Sequence, residues 1–491
     1  MKDLIRRPTA IAMVAALTLL PAMPLRADSP KDASGEPPLP PLRETIQKGY
    51  PELFDLAPTL RVEPREIQEL RQSFKSGEDA CRRTFRNHAK SYGKQIEDAR
   101  RNLKTGGEKL ANDKRHDLHC AIQNLDLLKS EAEVLAGQAI PTAYDNLNAK
   151  LDLLQQWPDQ YRATRAEIES GAYTTRRWGD VKDIGFREIA RGQMDDVKRG
   201  QQAVEEMRRL GLLPPALENK AIQSYVDSVA QRIAQKSDLK VPLHVTLLNS
   251  REVNAFALPG GYLFIERGLL EAADDEAELA GVIAHEIAHD TARHSAKLMK
   301  RATIASVFYS AAQVAAMILT GGVASIGMYY ALQYGFYGLG MVLDLKLLGV
   351  SREYELEADQ LGIQYAWNAG YDMTGFNRFF DKMANKKGYV NGVSWFRTHP
   401  PFYQRMVQAQ REMMFMPKPT EQVVQTTEFQ NMKEQLAPIA AEAEKEEVGK
   451  PSLLRTKEEG CKPPDKIEYK TEQPIEELCA SEPRMLEAQA Q

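Results

Sequence analysis

The sequence carries no large excess of charge of either sign. Its 491 residues include 64 Lys and Arg and 68 Asp and Glu, which gives a formal net charge of −4. Binding to nucleic acid would need a strong basic excess, so the composition predicts no nucleic-acid partner. No internal repeat is clear enough to indicate a tetratricopeptide array. The hydrophobic fraction of 43% is typical of an ordinary globular protein, and the length allows two or three domains.

Cysteine is also scarce, with four residues in the chain: Cys81, Cys120, Cys461 and Cys479. In an exported chain, four cysteines favour disulfides over metal binding. Cys461 and Cys479 are close in sequence and separated by prolines, which favours a bridge between them and leaves Cys81 to pair with Cys120. If the chain turns at Gly106-Gly107, however, Cys81 and Cys120 lie at unequal distances from that turn. Either the chain turns elsewhere, or Cys81 and Cys120 pair with the two C-terminal cysteines instead of with each other. The disulfide connectivity stays open.

Long apolar runs occur in two places only. The first follows Arg6-Arg7 and extends from Ala10 to Leu20, with a small residue at Ala27. This pattern predicts a secretory signal peptide over residues 1–27, and an uncleaved anchor is the alternative. We therefore expect the protein in the periplasm or cell envelope.

The second apolar run, Ala302 to Val342, contains no charged residue and is interrupted by Gly321-Gly322. A membrane span needs about 20 apolar residues, so the run is long enough to cross once or, as a hairpin, twice. It is either a membrane-seeking element or a lid of buried helices. We favour a re-entrant or peripheral hairpin that caps the cleft and can lean into lipid, with a hairpin span as the alternative.

A His-Glu-x-x-His pentad lies at the centre of the chain, in residues 285–289. Residues four apart on a helix lie one above the other, so His285 and His289 present their imidazoles on one face. This spacing suits Zn²⁺, which binds imidazole nitrogen at about 2.0–2.1 Å. Glu286 lies at the edge of that face, where it can act as a general base without binding the metal. A surface helix with two histidines is the alternative.

The residues around the pentad favour a buried helix. Asp275 and Glu278 form a start signal that predicts a helix beginning near Glu276. Apolar residues surround the histidines at Leu279, Val282, Ile283 and Ile287. A surface helix would be more polar, so we expect the pentad to lie inside the protein.

A catalytic zinc needs a third protein ligand. His294 projects about 180° from His285 if the same helix continues, so we expect packing or an outer-sphere contact rather than ligation. The segment from Ser351 to Asp359 offers carboxylates instead. If it is helical, Glu355, Asp359 and Arg352 share one face, whereas Glu353 and Glu357 point away. We expect Glu355 to be the ligand and Asp359 to orient a ligating imidazole; a solvated acidic helix is the alternative.

These motifs together resemble the gluzincin metallopeptidases of the CAAX prenyl endopeptidase and HtpX family. Within that family, the sequence is most similar to the branch of periplasmic β-barrel assembly-enhancing proteases. The pentad is followed by Glu355-x-x-Ala358-Asp359, and two more segments match: Asn254 to Ile265, and Thr398-His399-Pro400-Pro401 with Arg405. The resemblance covers about residues 200–415. No repeat domain of the kind found in that branch is recognisable after it, which leaves the partner open.

The resemblance implies a zinc endopeptidase with one Zn²⁺ per chain. His399 either binds the open metal position and restrains the enzyme, which we favour, or stabilises the oxyanion; a plain surface histidine is the alternative to both roles. Arg405 either fixes that loop or anchors substrate. A substrate strand is expected at Gly261, Tyr262, Leu263 and Phe264, because an extended peptide can pair with an edge strand beside the cleft. The same residues are also consistent with a core strand.

The predicted fold is mainly α with a small β-sheet (α+β), a gluzincin catalytic domain preceded by a helical domain. Residues 28–64 are expected to be a mobile lead-in and residues 65–187 a helical bundle or coiled-coil-like domain, with breaks at Gly106-Gly107, Pro141 and Pro158. The peptidase domain is predicted over residues 188–415. Residues 416–491 are rich in charge and poor in aromatics, so weak order is expected there.

The sequence therefore predicts a zinc-dependent endopeptidase of the cell envelope, acting in protein quality control on misfolded or misassembled envelope proteins. Its partners are expected to be polypeptide substrates, together with a membrane surface or the outer-membrane assembly machinery. The alternative is an envelope chaperone or assembly factor that uses the fold mainly for binding. Loss of a ligand or of Glu286 would favour that alternative, and none is lost.

Overall fold

The computed structural model describes residues 41–107, 110–209, 213–299, 352–386, 403–417, 421–449, 461 and 479–480. The predicted signal peptide, the apolar segment 302–342 and His399 with its neighbours lie outside these residues. Among the described residues, no helix has both the length and the apolar character needed to cross a membrane.

Helices make up most of the N-terminal part of the described chain. They are α1 (Leu42–Thr45), α2 (Tyr50–Leu56), α3 (Pro64–Gly106), α4 (Asn112–Val134) and α5 (Ile140–Ser170). Gly107 (φ 50°) follows the long helix α3 and lets the chain turn toward α4, as the glycine pair predicted. A π-helical turn, Leu135–Ala139, links α4 to α5.

Two predictions for this region do not hold among the described residues. Residues 28–64 were predicted to be a mobile lead-in, but α1 and α2 lie in its described part, and Leu53 and Phe54 are buried. Pro158 was predicted to break a helix, yet it lies inside α5. The reason is tertiary packing, because the indole Nε1 of the neighbouring Trp157 donates to the carbonyl of Phe54 at 3.1 Å. That buried contact holds α5 against α2 despite the missing N–H of the proline.

A small mixed sheet follows the N-terminal helices. Short 3₁₀ turns come after α5, then helices α6 (Gln193–Arg209) and α7 (Lys220–Ala234), and then strands β1 (His244–Leu248), β2 (Ala255–Leu258) and β3 (Tyr262–Glu266). The strand order is β1-β3-β2. Strand β3 pairs parallel with β1 and antiparallel with β2.

Helices again form the remainder of the described chain, so the predicted class, mainly α with a small β-sheet, is confirmed. After β3 come α8 (Arg267–Ala272), α9 (Glu276–Thr291) and α10 (His294–Met299). Beyond the next described residue, 352, come α11 (Arg352–Asn368), α12 (Thr374–Lys386), α13 (Tyr403–Phe415) and α14 (Thr427–Gly449). Helix α9 packs against α7, α11, α12 and strand β2, so it lies in the middle of these elements.

One cluster of buried apolar side chains runs through both halves of the described chain. It includes Trp157 from α5, Ile283 from α9, Phe379 from α12 and Leu436 from α14. The N-terminal helices and the helices around α9 therefore share a core. The domain boundaries at residues 187 and 415 stay predictions.

The C-terminal residues are more ordered than their composition indicated. Helix α14 buries Phe429, Met432 and Leu436 against the core, so the expectation of weak order is wrong for residues 427–449. A few well-spaced apolar residues are enough to dock a helix, even where the average composition is polar.

Two disulfides tie the C-terminal residues to the first helices. Cys81 of α3 pairs with Cys479, and Cys120 of α4 pairs with Cys461. The expected bridge between Cys461 and Cys479 is therefore wrong, and the awkward spacing of Cys81 and Cys120 has its explanation. Proximity in sequence favoured the local bridge, but the fold brings each C-terminal cysteine to a different helix of the hairpin.

Candidate metal centre

Helix α9 presents the two histidines of the pentad inside the protein. Its first turn is capped as predicted, since Asp275 Oδ1 accepts a hydrogen bond from the Glu278 amide at 2.8 Å. Every residue from Glu276 to Thr291 is buried, which confirms the expectation of a buried helix. The Nε2 atoms of His285 and His289 lie 3.0 Å apart.

Helix α11 crosses α9 closely enough to bring Glu355 to these two nitrogens. Gly362 makes the crossing possible, because a Cβ at this position would lie 3.0 Å from the backbone of His285. Glu355 Oε1 lies 3.4 Å from His289 Nε2, and Glu355 Oε2 lies 3.7 Å from His285 Nε2. The predicted third ligand is thus adjacent to both histidines.

The three donors have the spacing that a tetrahedral metal ion needs. Two ligands that each bind Zn²⁺ at 2.0–2.1 Å with tetrahedral geometry lie about 3.3 Å apart. The observed separations of 3.0, 3.4 and 3.7 Å bracket this value. One other group in the described chain is as compact, His116 with Cys120 and Cys461, but both of its cysteines are in a disulfide. The residues of the first group fit a zinc ion.

Asp359 and Arg405 surround the carboxylate side of the centre. Asp359 Oδ1 lies 3.0 Å from His285 Nδ1, the nitrogen that faces away from the donor triangle. Arg405 binds Asp359 through two hydrogen bonds of 2.7 Å and lies 2.9 Å from Glu355 Oε2. Burial opposes the charge of this guanidinium, but Asp359 and Glu355 raise the pKa of Arg405 above its usual value. Arg405 is 1% exposed, so it pairs with these carboxylates rather than presenting a surface for substrate.

Glu286 lies next to His285 on α9 and is 1% exposed. Its negative charge also contributes to the raised pKa of Arg405, which places the two groups in the same buried charge cluster. Of the other predicted residues, Arg352 is exposed at the start of α11, and His399 lies outside the described residues.

The expectation for His294 rested on a single continuous helix, and that assumption was wrong. Helix α9 ends at Thr291, and Arg293 adopts a left-handed conformation (φ 60°) before α10 begins. The turn brings His294 back, so that its Nδ1 lies 2.9 Å from His289 Nδ1. His294 Nε2 lies 3.1 Å from Glu357 Oε2.

Glu353 and Glu357, both predicted to point away from the metal, differ in surroundings. Glu353 is exposed and pairs with Arg177 at 2.7 Å. Glu357 is largely buried against His294. Burial lowers the pKa of His294, although Glu357 acts in the opposite direction.

The predicted substrate strand is not an edge strand. Tyr262, Leu263 and Phe264 belong to β3, which is hydrogen-bonded to β1 on one side and β2 on the other. The backbone groups on both sides are used, so an extended peptide cannot add to this strand. Gly261 lies in the turn before it, at φ 89°. The structure thus supports the alternative prediction, that β3 is a core strand. Strand β2, at one edge of the sheet, packs on α9.

Asp290 was missed by sequence reasoning, although it directly follows the pentad. Its two carboxylate oxygens accept hydrogen bonds from the amides of Gly260 and Gly261, at 3.1 and 2.7 Å. Burial raises the pKa of Asp290 to about 7. These bonds tie the turn between β2 and β3 to α9, and no local pattern identifies such a contact between distant segments.

Residues 217–413 match the model of peptidase family M48. This range contains the whole donor triangle and the residues around it. The chain carries an M48 peptidase domain. The family implies that a metal ion belongs in this domain.

Three curated relatives are similar to part of this chain. A putative β-barrel assembly-enhancing protease of Vibrio cholerae is 32% identical over 191 residues, 38% of this chain and 37% of the relative. A β-barrel assembly-enhancing protease of Yersinia pestis is 28% identical over 244 residues, 49% of each chain. The mitochondrial metalloendopeptidase OMA1 of Schizosaccharomyces pombe is 34% identical over 188 residues, 37% of this chain and 50% of the relative. The matched part thus spans half or less of each of these relatives.

Proposed function

We propose that the protein is a zinc-dependent endopeptidase of the cell envelope that hydrolyses misfolded or misassembled envelope proteins. The observation that carries the proposal is the triangle of His285, His289 and Glu355, buried in an M48 domain with Glu286 beside it. The predicted signal peptide and the two disulfides support an oxidising compartment outside the cytosol.

His285, His289 and Glu355 would hold the ion. When bound, zinc supplies Lewis-acid chemistry, which polarises the scissile carbonyl and makes a water more acidic. The Glu286 carboxylate takes the proton of the attacking water and passes it to the nitrogen of the leaving amine. Asp359 Oδ1, 3.0 Å from His285 Nδ1, favours the tautomer that carries its proton on this nitrogen, which leaves Nε2 of that ring unprotonated and directed at the donor triangle. Arg405 neutralises part of the charge of Asp359 and Glu355.

The test separates metal binding from proton transfer. Purified wild-type protein should contain about one equivalent of zinc per chain, because the three ligands define a single site. Glu286→Gln should keep the zinc and abolish cleavage of a labelled unfolded protein such as casein. Glu355→Gln should lose the zinc. Glu353→Gln is the matched control, since this exposed carboxylate on the same helix pairs with Arg177 and should keep both zinc and activity.

Cleavage by Glu286→Gln near the wild-type rate would disprove the role of Glu286 as general base. A wild-type protein that binds unfolded chains and zinc but never cleaves would instead support the alternative, an envelope chaperone or assembly factor.

The substrate class is proposed from the names of the relatives and the predicted export. Two of these relatives are named for enhancing β-barrel assembly. We propose unassembled outer-membrane proteins as substrates and the outer-membrane assembly machinery as a partner. Glu286→Gln should retain bound substrate, so envelope proteins recovered with this variant but not with wild type identify what the enzyme cleaves. Recovery of the same proteins with both would count against a substrate relationship.

A further inference from the structure

The two histidines of the donor triangle are supported in different ways. His285 has a carboxylate directly behind it, with Asp359 Oδ1 at 3.0 Å from Nδ1. His289 has another imidazole behind it, with His294 Nδ1 at 2.9 Å from its own Nδ1. A carboxylate contacts this second imidazole, since Glu357 Oε2 lies 3.1 Å from His294 Nε2. Glu357, His294 and His289 thus form a hydrogen-bonded series that ends at His289 Nε2, the nitrogen in the donor triangle.

We propose that His294 and Glu357 are positioning residues, which together set the tautomer and the ring orientation of His289. This inference rests on the proposed function, since it assigns a role toward the metal that His289 would hold.

The positions of the protons follow from the two contacts. A ring nitrogen that binds a metal cannot carry a proton, so a ligating His289 Nε2 leaves the proton on Nδ1. A contact of 2.9 Å between two imidazole nitrogens needs one donor and one acceptor, so His294 Nδ1 accepts. The proton of His294 then lies on Nε2, where Glu357 accepts it. A carboxylate can only accept a hydrogen bond, so Glu357 fixes the donor and the acceptor in both hydrogen bonds, from His289 to His294 and from His294 to Glu357.

Several contacts hold the His294 ring in place. Tyr354, one turn before Glu357 on α11, stacks on the ring with centroids 4.3 Å apart and planes at 12°. The hydroxyl of Ser295 donates to the carbonyl of Ala257 at 2.8 Å, which anchors α10 to strand β2. The ring therefore has a packed face as well as two polar contacts.

The turn that delivers His294 is itself held by ion pairing. Arg293 has a positive φ of 60°, a left-handed conformation that is unfavourable for a residue with a side chain. Its guanidinium binds Asp196 of α6 at 3.0 Å and the carbonyl of Arg191 at 2.7 Å. Asp196 is buried, so the pair is well placed to stabilise the strained turn.

The experiment measures zinc affinity of the full-length chain by competition with a chromophoric chelator. His294→Leu keeps a buried side chain of similar size but removes the acceptor for His289 Nδ1–H. We expect zinc binding 10–100-fold weaker, the usual effect of losing an outer-sphere partner. His294→Asn should bind zinc more tightly than His294→Leu, because its amide oxygen lies about where Nδ1 was and can accept the same proton. The unfolding midpoint of each metal-free variant reports whether it is folded.

His88→Leu is the matched control. His88 is also buried, but it lies on α3 among the N-terminal helices, stacked edge-on against Phe85. It should keep wild-type zinc affinity. A loss of affinity in this variant equal to that of His294→Leu would mean that any buried histidine matters, and would overturn the proposal.

Glu357 supplies a second, independent variant. Glu357→Ala should weaken zinc binding in the same direction as His294→Leu, and the double variant should be no weaker than His294→Leu alone, because Glu357 acts only through His294. If the losses of zinc affinity in the two single variants add up in the double variant, Glu357 does not act through His294 and the proposal is overturned.

The outcomes separate this inference from the proposed function. If wild-type protein binds no zinc, the proposed function fails and this role fails with it. If wild type binds zinc and cleaves, but His294→Leu has the affinity of wild type or His294→Asn is as weak as His294→Leu, only the positioning role is wrong.

Discussion

Among single residues, the main feature of the candidate metal centre is its buried charge. Glu355 and Asp359 lie within one turn of each other on α11, and both are buried. Two carboxylates so placed would repel each other and lose hydration, which is costly without compensation. Arg405, from α13, contacts both and is itself buried. This guanidinium compensates the pair before any metal binds.

We expect Arg405→Gln to destabilise the metal-free protein by about 3–5 kcal/mol, because it leaves two buried carboxylates without their partner. Urea unfolding of the apo protein measures the loss. Arg411→Gln, on the same helix, removes an ion pair to Glu167 that is partly exposed and should cost about 0–1 kcal/mol. Equal losses in the two variants would show that Arg405 contributes no more than a surface charge.

At the scale of secondary-structure elements, the site depends on how closely α9 and α11 cross. Glycines occur where neighbouring backbone comes near: Gly362 of α11 against His285, and Gly281 of α9 against Phe376 of α12. Neither glycine has a positive φ, so the reason is space rather than conformation. The candidate metal ligands come from both sides of the α9–α11 contact, and a wider crossing would separate them.

Gly362→Ala should therefore weaken zinc binding and lower stability by about 1–3 kcal/mol, the usual cost of overpacking a core. Gly93→Ala tests the same change in a helix with room, since the nearest atom to a Cβ there is 4.0 Å away. That control should be stabilised by roughly 0.5–1 kcal/mol, because alanine favours the helix. Zinc titration and thermal unfolding of both variants decide the point, and a stabilised Gly362→Ala with normal zinc affinity would contradict it.

At the scale of the whole molecule, the two ends of the described chain are joined. The disulfides close segments of 398 and 341 residues, and each connects a C-terminal cysteine to a helix of the N-terminal hairpin. Helix α14 also packs on α7 and α8. The C-terminal residues are thus attached both to the hairpin and to the elements around α9.

We predict that non-reducing digestion followed by mass spectrometry recovers peptides joining Cys81 to Cys479 and Cys120 to Cys461. A peptide pair joining Cys461 to Cys479 would contradict this connectivity. Replacing Cys81 and Cys479 together by Ser should lower the free energy of unfolding by about 2–5 kcal/mol, since a long closed segment regains freedom in the unfolded state. Wild type measured with and without reductant provides the comparison.

Much of the centre was predictable because its signals are local. The pentad spacing, the cap at Asp275 and the apolar residues around the histidines all act within one helix, where a period of 3.6 residues fixes which side chains share a face. The same arithmetic selected Glu355 and Asp359 on α11. For His294 it gave the wrong direction, because the left-handed turn at Arg293 ends the helix, although the expected outer-sphere contact is present through His289.

The helical class, the buried helix α9 and the short list of candidate ligands can be predicted from the sequence, because each depends on contacts between residues a few positions apart. The folded structure was needed for the disulfide pairing, the central place of β3, the ion pair of Arg405 and the contacts of His294 and Asp290. Each of these joins residues that share no local pattern. Such contacts form through the packing of whole elements around one core, and a linear sequence records the apolar faces of those elements but not which faces will meet.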